Sequence, residues 1–279
     1  MPKQIDKRII EIIEATSFPP VALKIYNLIG KAGTNMIDME TSISMDTVLS
    51  AKVLQVANSP FFSRGRQTDT LGHALQLIGF NAVRMVVLCA ALHELYKTAL
   101  EIDKKLWSHT LGVSLVASIL AKETGLANEY VSTAAGLFHD AGKLVLKNAD
   151  PQQYAEMADM LDGSSLSFVD AEERVFGLNH QDAGRLLAKN WNLGKEYAVV
   201  MSCHHEHESP AQLSGSEKSL LNIIKIADEI AFFFGIGFKK KVDIYKLPYD
   251  RLNITKERFD ALIWRVNEIY EEYINSLSF

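Results

Sequence analysis

Apolar residues recur at steps of three and four positions along most of the chain, which is the period of an amphipathic helix. Alternation of apolar and polar residues, the pattern typical of strands, is nearly absent, and only residues 242–245 suggest a short extended piece. The clearest stripe runs down about five turns near the C-terminus, after Thr255, a suitable N-cap; its members are Phe259, Leu262, Ile263, Val266, Ile269, Tyr270, Tyr273, Ile274 and Leu277. The pattern predicts an all-α fold.

The same period predicts the remaining helices. In the first third of the chain they fall at about residues 9–13, 21–30, 47–57, 70–78 and 81–97. Further on they fall at about residues 103–124, 129–148, 151–161, 167–176, 180–192, 195–206 and 217–235. Residues 33–35 and 209–216 have the composition of surface loops.

The domain organisation follows from the absence of a flexible linker. Apolar density falls and charges gather between about residues 97 and 105, but no long polar stretch separates the two halves. We therefore expect a helical N-terminal subdomain, residues 1–100, packed on a second helical subdomain, residues 101–279.

Composition narrows the class of protein. The net charge is −5, and the short basic clusters at 64–66 and 239–241 are typical of solvated loops, so a nucleic-acid partner is not expected. The two cysteines, Cys89 and Cys203, do not suggest a disulfide framework. The longest apolar run, residues 85–92, is far shorter than a membrane span, and the first residues form no signal core. These features favour a cytoplasmic protein without a membrane partner.

Histidines and aspartates in the second half suggest a metal site, because imidazole and carboxylate groups together suit divalent transition ions. The set comprises His109, His139, Asp140, His180, His204, His205 and Asp228. Asp140 and Asp228 have apolar neighbours, and a buried carboxylate requires a cation or several hydrogen bonds. Lys143 follows His139 by four positions and Asp140 by three, so we expect all three to share a helix face. The other histidines, and Asp228 with Lys225, are each alone more often ordinary hydrogen-bonded or ion-paired side chains, whereas the His139–Asp140 pair alone favours neither interpretation. It is the whole set in this order that favours metal.

The order of these residues resembles the HD superfamily of metal-dependent phosphohydrolases. Over about residues 16–235 the chain more closely resembles the HDOD (HD-related output domain) family of bacterial signalling proteins. The resemblance is carried by residues 18–22 (FPPVA), 49–59 (LSAKVLQVANS) and 74–79 (ALQLIG), by Glu172 or Glu173 before 176–180 (FGLNH), and by Gly184, Trp191 and the His204–His205 pair.

This resemblance implies an all-α fold and a site for two divalent transition ions, iron, manganese, nickel or zinc. One ion would be held by His109, His139, Asp140 and Asp228, and the other by Asp140, His180, His204 and His205, with Asp140 bridging. HD relatives with a third ion carry a glutamate where this chain has Lys105. The Gly-Tyr-Pro signature of those relatives is also missing after His205, so specificity for a cyclic dinucleotide is not expected.

Two functions follow from the resemblance. The first is a signal-transduction or regulatory protein with an HD-type metal site, whose partner is a signalling protein or a small phosphorylated ligand. The alternative is an active phosphohydrolase or phosphodiesterase that acts on a nucleotide or another phosphoester. In that case Asp140 and Lys143 would be catalytic, Asp140 by bridging the ions and Lys143 by contacting a phosphate oxygen. The regulatory function ranks first, because retained ligands indicate metal binding more directly than turnover.

Overall fold

A computed structural model describes residues 6–18, 35–63, 65–96, 100–161, 164, 166–206 and 210–276. The prediction of an all-α fold is confirmed, since these residues form helices and irregular connections and include no strand. In chain order the α-helices are α1 (Lys7–Ala15), α2 (Met36–Ser44), α3 (Thr47–Ala57), α4 (Pro60–Ser63), α5 (Leu71–Ile78), α6 (Phe80–Tyr96), α7 (Glu101–Thr124), α8 (Glu129–Phe138), α9 (Gly142–Ala149), α10 (Pro151–Leu161), α11 (Phe168–Phe176), α12 (His180–Asn190), α13 (Lys195–Cys203), α14 (Gly215–Phe233) and α15 (Lys256–Ser276). Two 3₁₀ turns, Ile244–Lys246 and Tyr249–Leu252, lie between α14 and α15.

The chain forms two compact units. The first comprises residues 1–17 and 98–268, and the second comprises residues 18–97 and 269–279. The expected packing of residues 1–100 on residues 101–279 stays a prediction.

The first unit is built around α7. This helix of 24 residues is buried along most of its length and packs against α8 and α14. Helix α1 belongs to the same unit and packs against α9 and α12. Two side chains at the end of α12 hold it, because Asn190 Nδ2 donates to Ile13 O at 2.8 Å and Trp191 Nε1 donates to Thr16 O at 2.7 Å.

In the second unit, α3 packs against α2, α5 and α6. Asn58 at the end of α3 fixes the segment that follows α4, because its amide donates to Thr68 O and accepts from Thr68 N, both at 2.8 Å. Lys52 on the same helix forms an ion pair with Glu94 on α6.

Most of the predicted helices are present, with ends shifted by a few residues. Arg258 N donates to Thr255 Oγ1 at 3.4 Å, which confirms the predicted cap of α15. Helix α2 was not predicted. It begins with a capping box between Asn35 and Asp38, but it buries only Met39 and Ile43 among its apolar residues, too few to give a clear stripe. The predicted helix at 21–30 lies outside the described residues.

Two of the predicted secondary-structure elements are wrong. Residues 242–245 do not form one extended piece, because the Asp243 side chain accepts from Tyr245 N and starts the 3₁₀ turn Ile244–Lys246. The helix predicted over 129–148 is interrupted at 139–141, where bonds of the i→i+3 type join Ala141 N to Phe138 O and Lys143 N to Asp140 O. The start of α9 is pressed onto α12 at this point, since a Cβ on Gly142 would lie 1.9 Å from His180 O.

No single helix in the described part of the chain has both the length and the apolar character of a membrane span. By length and composition alone, the pair Leu71–Ile78 and Ala82–Tyr96, bent by 111°, meets those criteria when taken together.

Candidate metal centre

The structure brings all seven predicted ligands together inside the first unit. His109 lies on α7, Asp228 on α14, and His180 is the first residue of α12. The other four lie in turns: His139 and Asp140 between α8 and α9, and His204 and His205 directly after α13. The prediction that His139, Asp140 and Lys143 share one helix face is wrong, because the chain leaves the α8 helix at His139 and only Lys143 lies within α9.

The first group of ligands consists of His109, His139 and Asp228, whose donor atoms lie within 4.8 Å of one another. His109 Nε2 is 2.9 Å from Asp228 Oδ1, and His139 Nε2 is 3.8 Å from the same oxygen. Asp140 Oδ2 approaches both rings, at 3.6 Å from His109 Nε2 and 3.3 Å from His139 Nε2. These are the four residues that the resemblance assigns to one ion.

The second group consists of Asp140, His180, His204 and His205, again with donor atoms within 4.8 Å of one another. Asp140 Oδ1 is 3.4 Å from both His180 Nε2 and His204 Nε2. Asp140 therefore faces the first group with Oδ2 and the second with Oδ1, the position expected of a bridging carboxylate.

Four of the histidines are oriented by hydrogen bonds at Nδ1. The Nδ1 of His109, His139 and His204 contacts the main-chain carbonyls of Ile236, Gly136 and Val200 at 3.2, 2.7 and 2.9 Å. Because a carbonyl oxygen only accepts, each Nδ1 carries the proton, and in the neutral ring Nε2 is a free lone pair. All three Nε2 atoms are directed at the aspartates, the arrangement found in metal-binding histidines.

Gly237 makes the hydrogen bond to His109 possible. Its φ is +77°, and a Cβ at this position would lie 2.2 Å from Lys105 O and 2.8 Å from His109 Cβ. Only glycine therefore lets this loop pass close over α7 and present Ile236 O to the ring. Lys105, which stands where relatives with a third ion have a glutamate, pairs with Asp159 at 2.9 Å.

Glu172 orients the fourth ring, that of His180. Its Oε2 lies 2.5 Å from His180 Nδ1 and accepts from His180 N at 2.8 Å, while its Oε1 accepts from Tyr154 OH at 2.9 Å. Both Glu172 and Tyr154 are fully buried. The sequence marked Glu172 or Glu173 only as part of a motif and missed this role. The one sequence feature that could have indicated this role is the position of the glutamate, eight residues before the candidate ligand His180.

Lys143 is buried against the cluster. Its Nζ lies 2.7 Å from Asp140 Oδ2 and 4.3 Å from the centroid of the Phe168 ring. Burial alone would lower the pKa of Lys143, but the Asp140 and Glu172 carboxylates more than offset this and raise it. Lys143 is therefore a fixed cation that neutralises one side of Asp140.

The charges of the cluster keep its carboxylates ionised. Burial would raise the pKa of Asp140, but the adjacent His139 ring and the charge of Lys143 outweigh it and hold that pKa well below its usual range. Burial likewise opposes ionisation of Asp228, and its contact with His109 lowers its pKa. Burial, together with the adjacent His204 ring, keeps the pKa of His205 well below its usual value, so that ring is neutral near pH 7.

The donor set fits a divalent transition metal. Asp140 Oδ1 and His139 Nε2 are buried and have no hydrogen-bond partner among the described residues. His180 Nε2 and His204 Nε2 lie only 3.3 Å apart, although both face inward. Buried polar atoms are ordinarily paired, and inward-facing nitrogen and carboxylate atoms at these distances are suited to sharing a cation.

The cluster reaches the surface through His205. The side chains of the other six ligands are at most 3% exposed, whereas 22% of the His205 side chain is exposed. His205 lines a pocket of about 430 Å³, which Phe168, Gln181 and Phe232 also line. A ligand in this pocket would lie beside the metal cluster.

Comparison with known sequences gives the family. The sequence profile of the HDOD domain matches residues 15–207, more than half of the chain. The chain belongs to the HDOD family. A curated relative of this HDOD protein, an uncharacterized protein of Treponema pallidum (strain Nichols), is 22% identical over 198 residues. The match covers 70% of this chain but only 38% of that relative.

Solved structures share the fold. An HDOD domain protein of unknown function from Geobacter sulfurreducens has a TM-score of 0.76 at 24% identity. The match covers 97% of that protein and 95% of this chain. A candidate signal transduction protein from Marinobacter aquaeolei VT8 has a TM-score of 0.77 at 17% identity, with 63% of its length and 100% of this chain covered. A candidate phosphohydrolase from Shewanella amazonensis SB2B has a TM-score of 0.74 at 19% identity, with 98% of both chains covered.

Proposed function

We propose that this HDOD protein is a bacterial signal-transduction protein that binds two divalent transition ions at the cluster described above. Its regulatory output would depend on the metal-loaded state and on a small phosphorylated ligand or a signalling protein partner. The observation that carries the proposal is the convergence of buried Nε2 atoms on Asp140 and Asp228 while the Nδ1 atoms are held by outer acceptors. This arrangement leaves buried nitrogen and oxygen atoms poorly paired in hydrogen bonds, but it matches the requirements of metal ligation.

The charge of the cluster supports a phosphorylated ligand. Neutral imidazoles and two carboxylates contribute about −2, and two divalent ions would contribute +4. The loaded site would then carry about +2, which suits a phosphate group in a buried setting. Iron, manganese, nickel and zinc are all compatible with mixed imidazole and carboxylate ligands.

Metal analysis of the purified chain tests this proposal. We expect about two ions per chain in wild-type protein prepared without chelators, and at most one in His139→Ala or Asp140→Asn. His73→Ala is the matched control, because His73 is exposed on α5 in the second unit and should leave the metal content unchanged. Wild-type protein with far less than one ion per chain would contradict the proposal, as would an equal metal content in Asp140→Asn.

A second function, phosphoester hydrolysis, is favoured by the pocket at His205, because it gives a substrate access to the cluster. Divalent ions bound at this site would supply Lewis acidity for hydrolysis. Asp140 would hold the two groups of ligands in register, and Lys143 would contribute a fixed positive charge beside the phosphate. The pocket walls would orient the ester and limit the access of water.

Hydrolysis of a panel of phosphodiesters and nucleotides tests the second function, measured as release of the alcohol from the diesters and of inorganic phosphate from the nucleotides, with Asp140→Asn as the blank. Hydrolysis by wild type and none by Asp140→Asn would establish it, with Lys143→Met expected to reduce the rate by about 10²–10³. If wild type and Asp140→Asn are both inactive with several metals, the hydrolase function is excluded and only the regulatory function remains. Equal activity of the two would place the chemistry elsewhere.

A further inference from the structure

Gln181 presents an unused hydrogen-bond donor to the pocket beside His205. It follows His180 in α12 and is only 6% exposed. Its Oε1 accepts from His205 N at 2.8 Å, which fixes the orientation of the amide because a main-chain N–H only donates. Its Nε2 has no hydrogen-bond partner in the described part of the chain, and the residue lines the pocket. A buried amide donor beside candidate metal ligands is well suited to an anionic oxygen.

The rim of the pocket is acidic. Asp170 and Glu206 are exposed carboxylates that line it and form no ion pair with any described residue. Glu229 lines it too but is paired with Lys240 at 2.9 Å. Together, the three carboxylates and Lys240 give the pocket a formal charge of −2. This charge is opposite in sign to that of the metal-loaded cluster. A second phosphate group on a ligand would be repelled here, whereas N–H donors would find acceptors.

Two aromatic rings contribute to the remaining wall, beside Leu166, Ser167 and Val169. Phe168, at the start of α11, and Phe232, near the end of α14, both line the pocket. The pocket, at about 430 Å³, falls in the lower part of the range of about 300–1,000 Å³ typical of small-molecule sites. A planar group of the size of one nucleobase fits this combination of walls.

We infer that the pocket selects a ligand with one phosphate and one planar, amine-bearing group, as in an amino-substituted nucleoside monophosphate. The inference rests on the proposed function, because the phosphate is taken to lie at the metal cluster. Gln181 donates to that phosphate, Phe168 and Phe232 flank the planar group, and Asp170 and Glu206 accept from its amine. The same two carboxylates disfavour ligands with additional phosphates.

Equilibrium binding to the full chain loaded with Mn²⁺ tests the inference, with four probes compared with AMP. Inorganic phosphate measures binding at the metal cluster alone, and ribose 5-phosphate lacks the base. IMP lacks the amine, and adenosine 3′,5′-bisphosphate carries one extra phosphate. We expect AMP to bind more tightly than each of these by about tenfold, the size of effect produced by one buried polar or charged contact.

Two sets of variants test which residues produce the preference for AMP. Asp170→Asn combined with Glu206→Gln should remove the preference for AMP over the bisphosphate. Glu268→Gln combined with Glu271→Gln, an equal change in charge at exposed positions of α15, should leave it intact. Gln181→Glu keeps the acceptor for His205 N but replaces the donor by a carboxylate, so it should weaken binding of AMP and inorganic phosphate about tenfold at unchanged metal content.

The outcomes separate this inference from the proposed function. A chain that binds neither metal nor inorganic phosphate would remove the proposed function and the inference together. A chain that binds metal and inorganic phosphate but shows no preference for AMP over ribose 5-phosphate or the bisphosphate would overturn the inference and leave the metal site standing. An unchanged preference in the Asp170→Asn, Glu206→Gln variant, or unchanged phosphate binding in Gln181→Glu, would equally overturn it.

Discussion

Glu172 holds His180 at two points with one oxygen, since Oε2 lies 2.5 Å from the ring Nδ1 and accepts from the main-chain N at 2.8 Å. The same carboxylate is held in turn by Tyr154. This chain of three residues fixes both the start of α12 and the direction of its first side chain. A histidine supported in this way presents a more basic Nε2 to a cation.

Glu172→Gln should therefore weaken metal binding without removing a ligand. The amide retains the shape of the side chain but lacks the negative charge that increases the basicity of His180. We expect the affinity of one of the two ions to fall by about 10–100-fold, measured by competition with a chelator of known affinity. Glu173→Gln, one position along the same helix and exposed, is the control. Equal affinities in the two variants would contradict the role given to Glu172.

Lys143→Met should destabilise the metal-free protein strongly. The substitution leaves the buried Asp140 carboxylate without its lysine partner, a loss that costs about 3–5 kcal/mol in other buried pairs. The measurement is the free energy of unfolding in urea after chelation. Lys104→Met removes an exposed ion pair with Glu101 and should cost less than about 1 kcal/mol. Adding metal should reduce the penalty at Lys143, because the ions then neutralise Asp140.

Acid should destabilise the metal-free protein in two ranges of pH. His205 has a lowered pKa, so the unfolded chain takes up a proton at this residue below about pH 6.5 while the folded chain does not. Asp140 and Asp228 also have lowered pKa values, so their contribution is complete above about pH 3.9 and is lost below it. In each case the unfolded state binds more protons, and stability falls as the pH falls.

Urea unfolding between pH 8 and pH 3 measures this dependence. His205→Gln should flatten the upper range, and Asp228→Asn should flatten part of the lower range. If His205→Gln loses stability between pH 7 and pH 5 as steeply as wild type, His205 is not the group responsible.

Metal should stabilise the chain by mass action. A ligand at 100 times its Kd adds about 2.7 kcal/mol to the free energy of unfolding when only the folded state binds it. We expect a gain of this order for wild type and for His73→Ala, and a smaller one for His139→Ala, in urea titrations with and without Mn²⁺ or Zn²⁺. An equal gain in His139→Ala would show that the stabilising ion binds elsewhere.

Gly142→Ala should disrupt the site although it changes no candidate ligand. The new methyl group would fall 1.9 Å from His180 O and 2.7 Å from Gly184 N, so α9 and α12 would have to separate. We expect a loss of at least about 3 kcal/mol in stability together with reduced metal content. Gly215→Ala, where a Cβ meets no atom within 4 Å, should be nearly neutral in both measurements.

The sequence was sufficient to predict the helical class and to select seven residues that lie together, because both depend on residue type and spacing. It did not predict the turn at His139 and Asp140, since that break arises where Gly142 meets the main chain of His180, a contact distant in sequence. The pattern also could not separate Glu172 from Glu173. Both are acidic and adjacent on one helix, and burial of only the first is decided by how α11 lies against Tyr154 and α12.

His109 and Asp228 are separated by 119 residues, and the carbonyl that orients His109 comes eight residues later, at Ile236. These contacts cannot form until the chain has been synthesised as far as α14 and Ile236. A ribosome-bound chain that ends before α14 holds an incomplete set of candidate ligands, whatever the metal supply. The proposed ions would therefore bind fully only after α14 has been synthesised. In cells short of the metal, finished chains would stay in their less stable form and be the first that proteases remove.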